Sequence, residues 1–283
     1  MSTIQNLPEN RFNFLRFYPE ITPQIASSQY SEGLHNGYLY RWRKQKDFLP
    51  VLVNDTLTFY TNFATDLIGS NNVRILEGDT IINDVAKYDL TVTSFGTENS
   101  VITLTIPPTN TSNNVIFNIG IVNGSTILYR SNCFILKQLT EANINNTHLI
   151  SFYNNSSVYN YEWSAYDVNT DTPYTVRIPS SIKELSYGKD QTVYTSATTG
   201  TSRVTRATTS KNYQFETSYN NEDFHDAFNV ISSFKYFGVN GKEFICEEYG
   251  IEYQQNMNIF KGVANLRDVE YGRRVNTCST NLT

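Results

Sequence analysis

The chain has 283 residues, of which 39% are hydrophobic and 17% charged, with a net charge of −5. That length exceeds one ordinary domain and fits two of roughly 100–130 residues plus a tail. The acidic balance argues against a general nucleic-acid binder, which needs a basic face to displace counterions, and Cys133, Cys246 and Cys278 stand in no disulfide or zinc frame.

Residues 1–40 read as an extended N-terminal arm. Pro8, Pro19 and Pro23 interrupt it, and Phe12, Phe14, Phe17 and Tyr18 dot it without a sustained period. Prolines hold such a segment extended and keep it out of central strands. Four large rings are costly to leave in water, so they are candidate contacts to a neighbouring domain or subunit. Residues 41–138 follow as a first β-domain. Leu57, Phe59, Thr61 and Phe63 alternate with polar residues, as do Tyr88, Leu90 and Val92, then Ile102, Leu104 and Ile106. Strict alternation marks strands with one buried face. Phe117, Ile119 and Ile121 lead into Asn123-Gly124, with Ile127–Tyr129 beyond. An Asn-Gly pair between such runs predicts a type I′ hairpin, because both residues accept positive φ. Short strands with turns at about 8–12-residue spacing predict an Ig-like β-sandwich.

Residues 139–147 are polar and rich in Asn, and read as a connector. A second β-domain spans 148–268, with strands expected at Leu149–Tyr153, Tyr159–Tyr166 and Tyr174–Pro179. A Ser/Thr-rich stretch at 187–209 predicts a long protruding hairpin turning at Gly200. Phe224, Ala227, Phe228 and Ile231 fall at helical spacing behind Glu222 and Asp223, which predicts an amphipathic helix over 222–233. Asn240-Gly241 predicts a second I′ hairpin. Residues 269–283 read as a polar tail. The fold class is therefore mainly β, with two tandem antiparallel domains, the second a sandwich or barrel with one helix.

Little here points to chemistry. His35, His148 and His225 are scattered, and adjacent Glu247 and Glu248 should point to opposite faces of a strand, which spoils them as a glycosidase pair. Asp167, Asn169 and Asp171 lack the glycine and closing glutamate of a calcium loop. The sequence predicts a non-enzymatic chain with no cofactor and no metal. Arg41, Trp42 and Arg43 form a basic, aromatic cluster that suits a strand edge or subunit contact better than a nucleic acid. Tyr159, Tyr161 and Trp163 share one face of an expected strand, which suits core packing or a sugar-stacking strip. The opening residues lack a basic start followed by an apolar run, and Val115–Val122 is too short to span a bilayer, so no membrane role is expected.

Several stretches carry a resemblance: YLYRWRKQKDFLPVLVNDTLTFYTNF, ILYRSNCFIL, LISFYNNSSVYNYEW, YTVRIPSSIKEL and VNGKEF. Over residues 38–268 the chain resembles two-domain structural proteins of tailed phages of Bacteroidetes, including the crAss-like phages. The resemblance implies a virion component of the tail or collar, made in the host cytoplasm. It implies a homo-oligomeric ring or adaptor around the DNA passage, contacting other virion proteins, without sequence-specific nucleic-acid binding. The arm and hairpin suit exchange between neighbours. A carbohydrate- or receptor-binding β-module is the alternative, expecting an exposed strip around Tyr159–Trp163.

Overall fold

A computed structural model describes residues 15, 17–19, 48–61, 72–95, 99–153, 173–220, 222–252 and 260–270. Among these residues the chain is mainly β, with two helices. It divides into two compact units, one of residues 1–147 and 155–179, the other of 148–154 and 180–283.

The first unit holds β1 (Phe17–Pro19), β2 (Leu49–Leu52), β3 (Thr56–Thr61), β4 (Val73–Glu77), β5 (Thr80–Ile82), β6 (Asp89–Phe95), β7 (Asn99–Thr105), β8 (Val115–Asn123), β9 (Thr126–Ser131) and β10 (Phe134–Lys137). One sheet runs β1-β9-β8-β10-β2, with β4 on β8 and β5 on β4. The other places β3 beside β7 and β7 beside β6. Alternation drives both: Ile102, Leu104 and Phe117 are fully buried between partly covered or exposed neighbours, Leu57 is fully buried beside exposed Thr56, and β8 stays buried from Ile119 through Val122. The sheets meet through aromatic rings, Phe59 on β3 lying 5.6 Å from Phe134 on β10, which stacks 5.3 Å from Phe117 on β8. Each such ring contributes about 1.5–3 kcal/mol on burial.

Three features depart from the sequence expectations. Strand β10 runs parallel to β2, so the unit is not wholly antiparallel. The hairpin at Asn123-Gly124 turns one residue later than expected: Asn123 pairs with Thr126, and of the central Gly124 and Ser125 only Gly124 has positive φ, at 61°. That is the pattern of a II′ turn with glycine first, not of I′. A register shift between Ile121 and Val122 accompanies it. The connector contains a one-turn helix, α1 (Glu141–Asn145), which Thr140 caps by accepting a bond from the Asn143 amide.

Residues 173–179 also belong to the first unit, although the sequence grouped them with the second. They begin β12 (Tyr174–Thr195), where Thr175 pairs with Thr58 of β3. Two residues on, Arg177 forms a bidentate ion pair with Asp55, donating from Nε at 2.6 Å and Nη2 at 2.7 Å.

The second unit holds β11 (Thr147–Tyr153) from its second residue on, the rest of β12, β13 (Ser202–Thr217), α2 (Glu222–Ile231), β14 (Tyr236–Val239), β15 (Lys242–Glu252) and β16 (Lys261–Asp268). Six strands close as a barrel in the order β11-β14-β15-β16-β13-β12, with β12 pairing back to β11. Closure removes sheet edges. The expected helical face of α2 is the buried one: Phe224, Ala227, Phe228 and Ile231 are all covered. Phe228 stacks on Phe215 at 5.6 Å and meets Phe237 edge-on and Tyr249 tilted, so one side chain touches three strands of the barrel. At Asn240-Gly241 both residues have positive φ, 50° and 76°, between paired Val239 and Lys242. This hairpin is the I′ turn the dipeptide predicts.

Candidate interaction surface

The long hairpin is larger than the 187–209 stretch expected. Its arms pair from Ser180–Thr217 out to Thr195–Ser202, and the tip turns through Ser196–Thr201 with Gly200 at a φ of 66°. Strand β16 covers β13 only from Asn212 to Glu216. Beyond that point, among the described residues, β13 pairs with β12 alone, and the two arms form a two-stranded ribbon. Bulges interrupt it near Glu184–Ser186 and Thr192–Val193. Bulges bend a strand and increase its twist. Tyr187, Val193 and Tyr194 are 62%, 53% and 62% exposed, unusual for residues of that size.

The base of the ribbon is fastened to the barrel by a ladder of cations and rings. Lys211 pairs with Glu184 across the ribbon at 2.7 Å and lies 5.6 Å from the Tyr187 ring and 5.3 Å from Tyr213. Lys242 lies over Tyr213 at 4.9 Å and Phe244 at 5.5 Å, donates to the Tyr213 hydroxyl, and pairs with the buried Asp268. Tyr213 meets Phe244 edge-on at 5.3 Å. Cations over ring faces are attracted by the ring quadrupole. The ion pairs follow the same logic: the bond to Glu184 holds Lys211 above its ordinary pKa, and the bond to Lys211, then that to Tyr187, holds Glu184 below its own. Burial pulls Lys242 down, but Asp268 and Tyr213 outweigh it and leave it raised.

The acidic strand β15 departs from its expected alternation. A register shift between Cys246 and Glu248 inserts Glu247 as an extra residue, so Glu247 and Glu248 are both exposed. Each is tied to β16: Arg267 donates from Nε to Glu247 at 2.7 Å, and Asn265 donates to Glu248 at 3.3 Å. Two buried histidines have structural partners. His148 Nδ1 lies 3.0 Å from Ser180 Oγ with its ring edge-on to Phe215. His225 Nε2 donates to the Phe260 carbonyl, which leaves Nδ1 to accept from the Tyr249 hydroxyl. Burial pushes the His225 imidazole below its ordinary range. Among the described residues no three His, Cys, Asp or Glu side chains group as a metal site. No described helix is long and apolar enough to cross a membrane.

Of the candidates taken from the sequence, Phe12, Phe14, Arg41, Trp42, Arg43, Tyr159, Tyr161 and Trp163 lie outside the described residues, as do Asp167, Asn169 and Asp171. Phe17 and Tyr18 are in β1, whose backbone pairs antiparallel with β9 of the same unit, opposite Ser131 and Arg130. Pro19 ends that strand on the sheet border, where a missing N–H is tolerated. Sequence reasoning missed the Asp55–Arg177 pair and the Lys211–Tyr213–Lys242 ladder, because Asp55 is far from Arg177 in the chain and Lys242 comes to Tyr213 from another strand. Comparison with protein-family models, with characterised proteins and with solved structures finds no significant match.

Proposed function

We propose that this chain is a non-enzymatic structural component of a tailed-phage virion, assembling with copies of itself as a ring or adaptor in the tail or collar. The observation that carries the proposal is the ribbon. An isolated two-stranded hairpin is at best marginally stable in water, yet this one runs well past its last supporting strand and exposes Tyr187, Val193 and Tyr194. A ribbon of that kind gains most by lying on another surface. The resemblance of residues 38–268 to phage tail and collar proteins points the same way, and we read the two-sheet first unit as an Ig-like sandwich that serves as a rigid brick. Heterologous contacts between such bricks close into rings when the rotation between copies allows.

The test is the solution mass of the full chain by light scattering, with negative-stain images of the same fractions. It is repeated on a variant in which residues 188–210 are replaced by a two-residue turn. The expected result is a closed multimer for the wild type and a folded monomer for the trimmed variant. A wild-type chain that stays monomeric at tens of micromolar overturns the proposal.

A further inference from the structure

A second feature of the first unit matches the ribbon in length, charge and hydrogen-bonding need. Strand β6 ends its sheet: it pairs with β7 from Asp89–Thr105 through Phe95–Asn99, and among the described residues it has no strand on its other side. Natural edges are blunted by lysine, proline, bulges or brevity. Strand β6 uses none of these. It is seven residues of DLTVTSF in unbroken register, with Thr91, Val92 and Thr93 at its centre. Its outer row of N–H and C=O groups is a template for one more strand.

Strand β13 offers that strand. Ser202–Ser210 is extended, pairs on one side with β12, and among the described residues has no strand on the other. At about 3.3 Å per residue its nine residues reach about 30 Å, against about 23 Å for β6.

Charge selects the pairing. Lys189, Arg203, Arg206 and Lys211 against Glu184 and Asp190 give residues 184–211 a net charge of +2, in a chain whose total is −5. Glu77, Asp79, Asp84, Asp89 and Glu98 against Lys87 give residues 77–98, which contain β6, a net charge of −4. Ribbon against ribbon would set like charges side by side, as would edge against edge, and both arrangements are disfavoured. Ribbon against edge joins opposite charges.

Within the first unit the strand order is β12-β3-β7-β6, so β6 and the start of β12 are the two borders of that sheet among the described residues.

We propose that the β13 arm of the ribbon, Ser202–Ser210, adds as a strand to the open edge of β6, Asp89–Phe95, in a second copy of this chain. The contact is heterologous, because donor and acceptor are different surfaces. It therefore propagates from copy to copy until it closes. The proposal rests on the reading of the chain as self-assembling, and names which surfaces meet.

The experiment measures oligomer mass by light scattering for four full-length proteins. They are the wild type, the ribbon reversal Arg203→Glu with Arg206→Glu, the edge variant Asp89→Lys with Thr91→Lys, and the chain carrying all four changes. Asp89 and Thr91 are exposed and lysine is a natural edge residue, so the edge variant keeps its fold; thermal melts of each protein check this. Each double variant is expected to weaken assembly about tenfold or more, and the fourfold variant to restore it, since within the paired strands themselves Ser202–Ser210 then carries −2 and Asp89–Phe95 carries +2. A wild-type oligomer that neither double variant disturbs overturns the ribbon-to-edge pairing and leaves self-assembly standing. So does a fourfold variant that stays dissociated. A wild-type chain that is monomeric overturns both readings.

Discussion

Replacing Arg177 by leucine probes the most buried charge pair described. Asp55 and Arg177 are 6% and 8% exposed. The carboxylate accepts from Nε at 2.6 Å, from Nη2 at 2.7 Å and from the Leu52 amide at 2.8 Å. Arg177 also donates from Nη1 to the Thr147 carbonyl at 3.2 Å and to its hydroxyl at 3.3 Å. The guanidinium thus holds together the turn after β2, the last residue of the first unit's long segment, and the returning strand. Leucine removes the cation and leaves a buried carboxylate with a single backbone donor. Breaking a buried pair from one side costs about 3–5 kcal/mol. For a unit of this size that lowers the melting temperature by roughly 6–20 °C. Urea unfolding followed by circular dichroism should show the loss in the midpoint, with little change in slope. The double variant Asp55→Leu with Arg177→Leu removes both charges and should recover much of the stability. If Arg177→Leu costs less than about 1 kcal/mol, or the double variant is no more stable than the single one, the pair is not the buried lock the geometry describes.

Other outcomes follow from the same structure. Folded His225 holds its proton only at a pH below its ordinary 6.5, whereas the unfolded chain takes one up near that value. Stability from this residue is therefore present above about pH 7 and falls as the pH drops below 6.5, by at most about 1.4 kcal/mol per pH unit; urea midpoints of the wild type and His225→Gln between pH 5 and 8 should show the variant without that share of the slope. Asn240→Ala should cost about 1–2 kcal/mol, because Asn240 has positive φ and accepts the Leu149 amide, whereas Asn123→Ala should change stability by under about 0.5 kcal/mol. Equal losses by chemical denaturation would contradict the two turn assignments. Phe228→Ala should cost about 3–5 kcal/mol through the cavity left among Phe215, Phe237 and Tyr249, and a melting temperature close to wild type would show that α2 does not close the barrel core.

Alternation over Leu57–Phe59, Ile102–Ile106 and Phe117–Ile121 was enough to identify β3, β7 and β8, and the spacing of Phe224, Ala227, Phe228 and Ile231 identified α2 and its buried face. Those patterns are local, because side-chain direction follows backbone period within a single element. The Ser/Thr-rich ribbon was legible from Val193, Val204 and Gly200, but its length was not, since pairing of Ser180 with Thr217 depends on a partner far along the chain. The two Asn-Gly turns show the limit most clearly. The same dipeptide forms I′ between Val239 and Lys242, yet shifts by one residue after Ile121, where the neighbouring strands fix the register. Bulges hid in the same way: adjacent Glu247 and Glu248 would face opposite ways in a regular strand, and only the register shift against β16 between Cys246 and Glu248 leaves both exposed.

The sequence by itself thus determined the β-rich class, the buried faces and the acidic balance, each a property of short windows or of the whole composition. Tertiary structure decided the parallel pairing of β2 with β10, the return of residues 173–179 to the first unit, barrel closure and the Asp55–Arg177 lock. These are contacts between distant residues, and their energies depend on which surfaces the folded chain brings together.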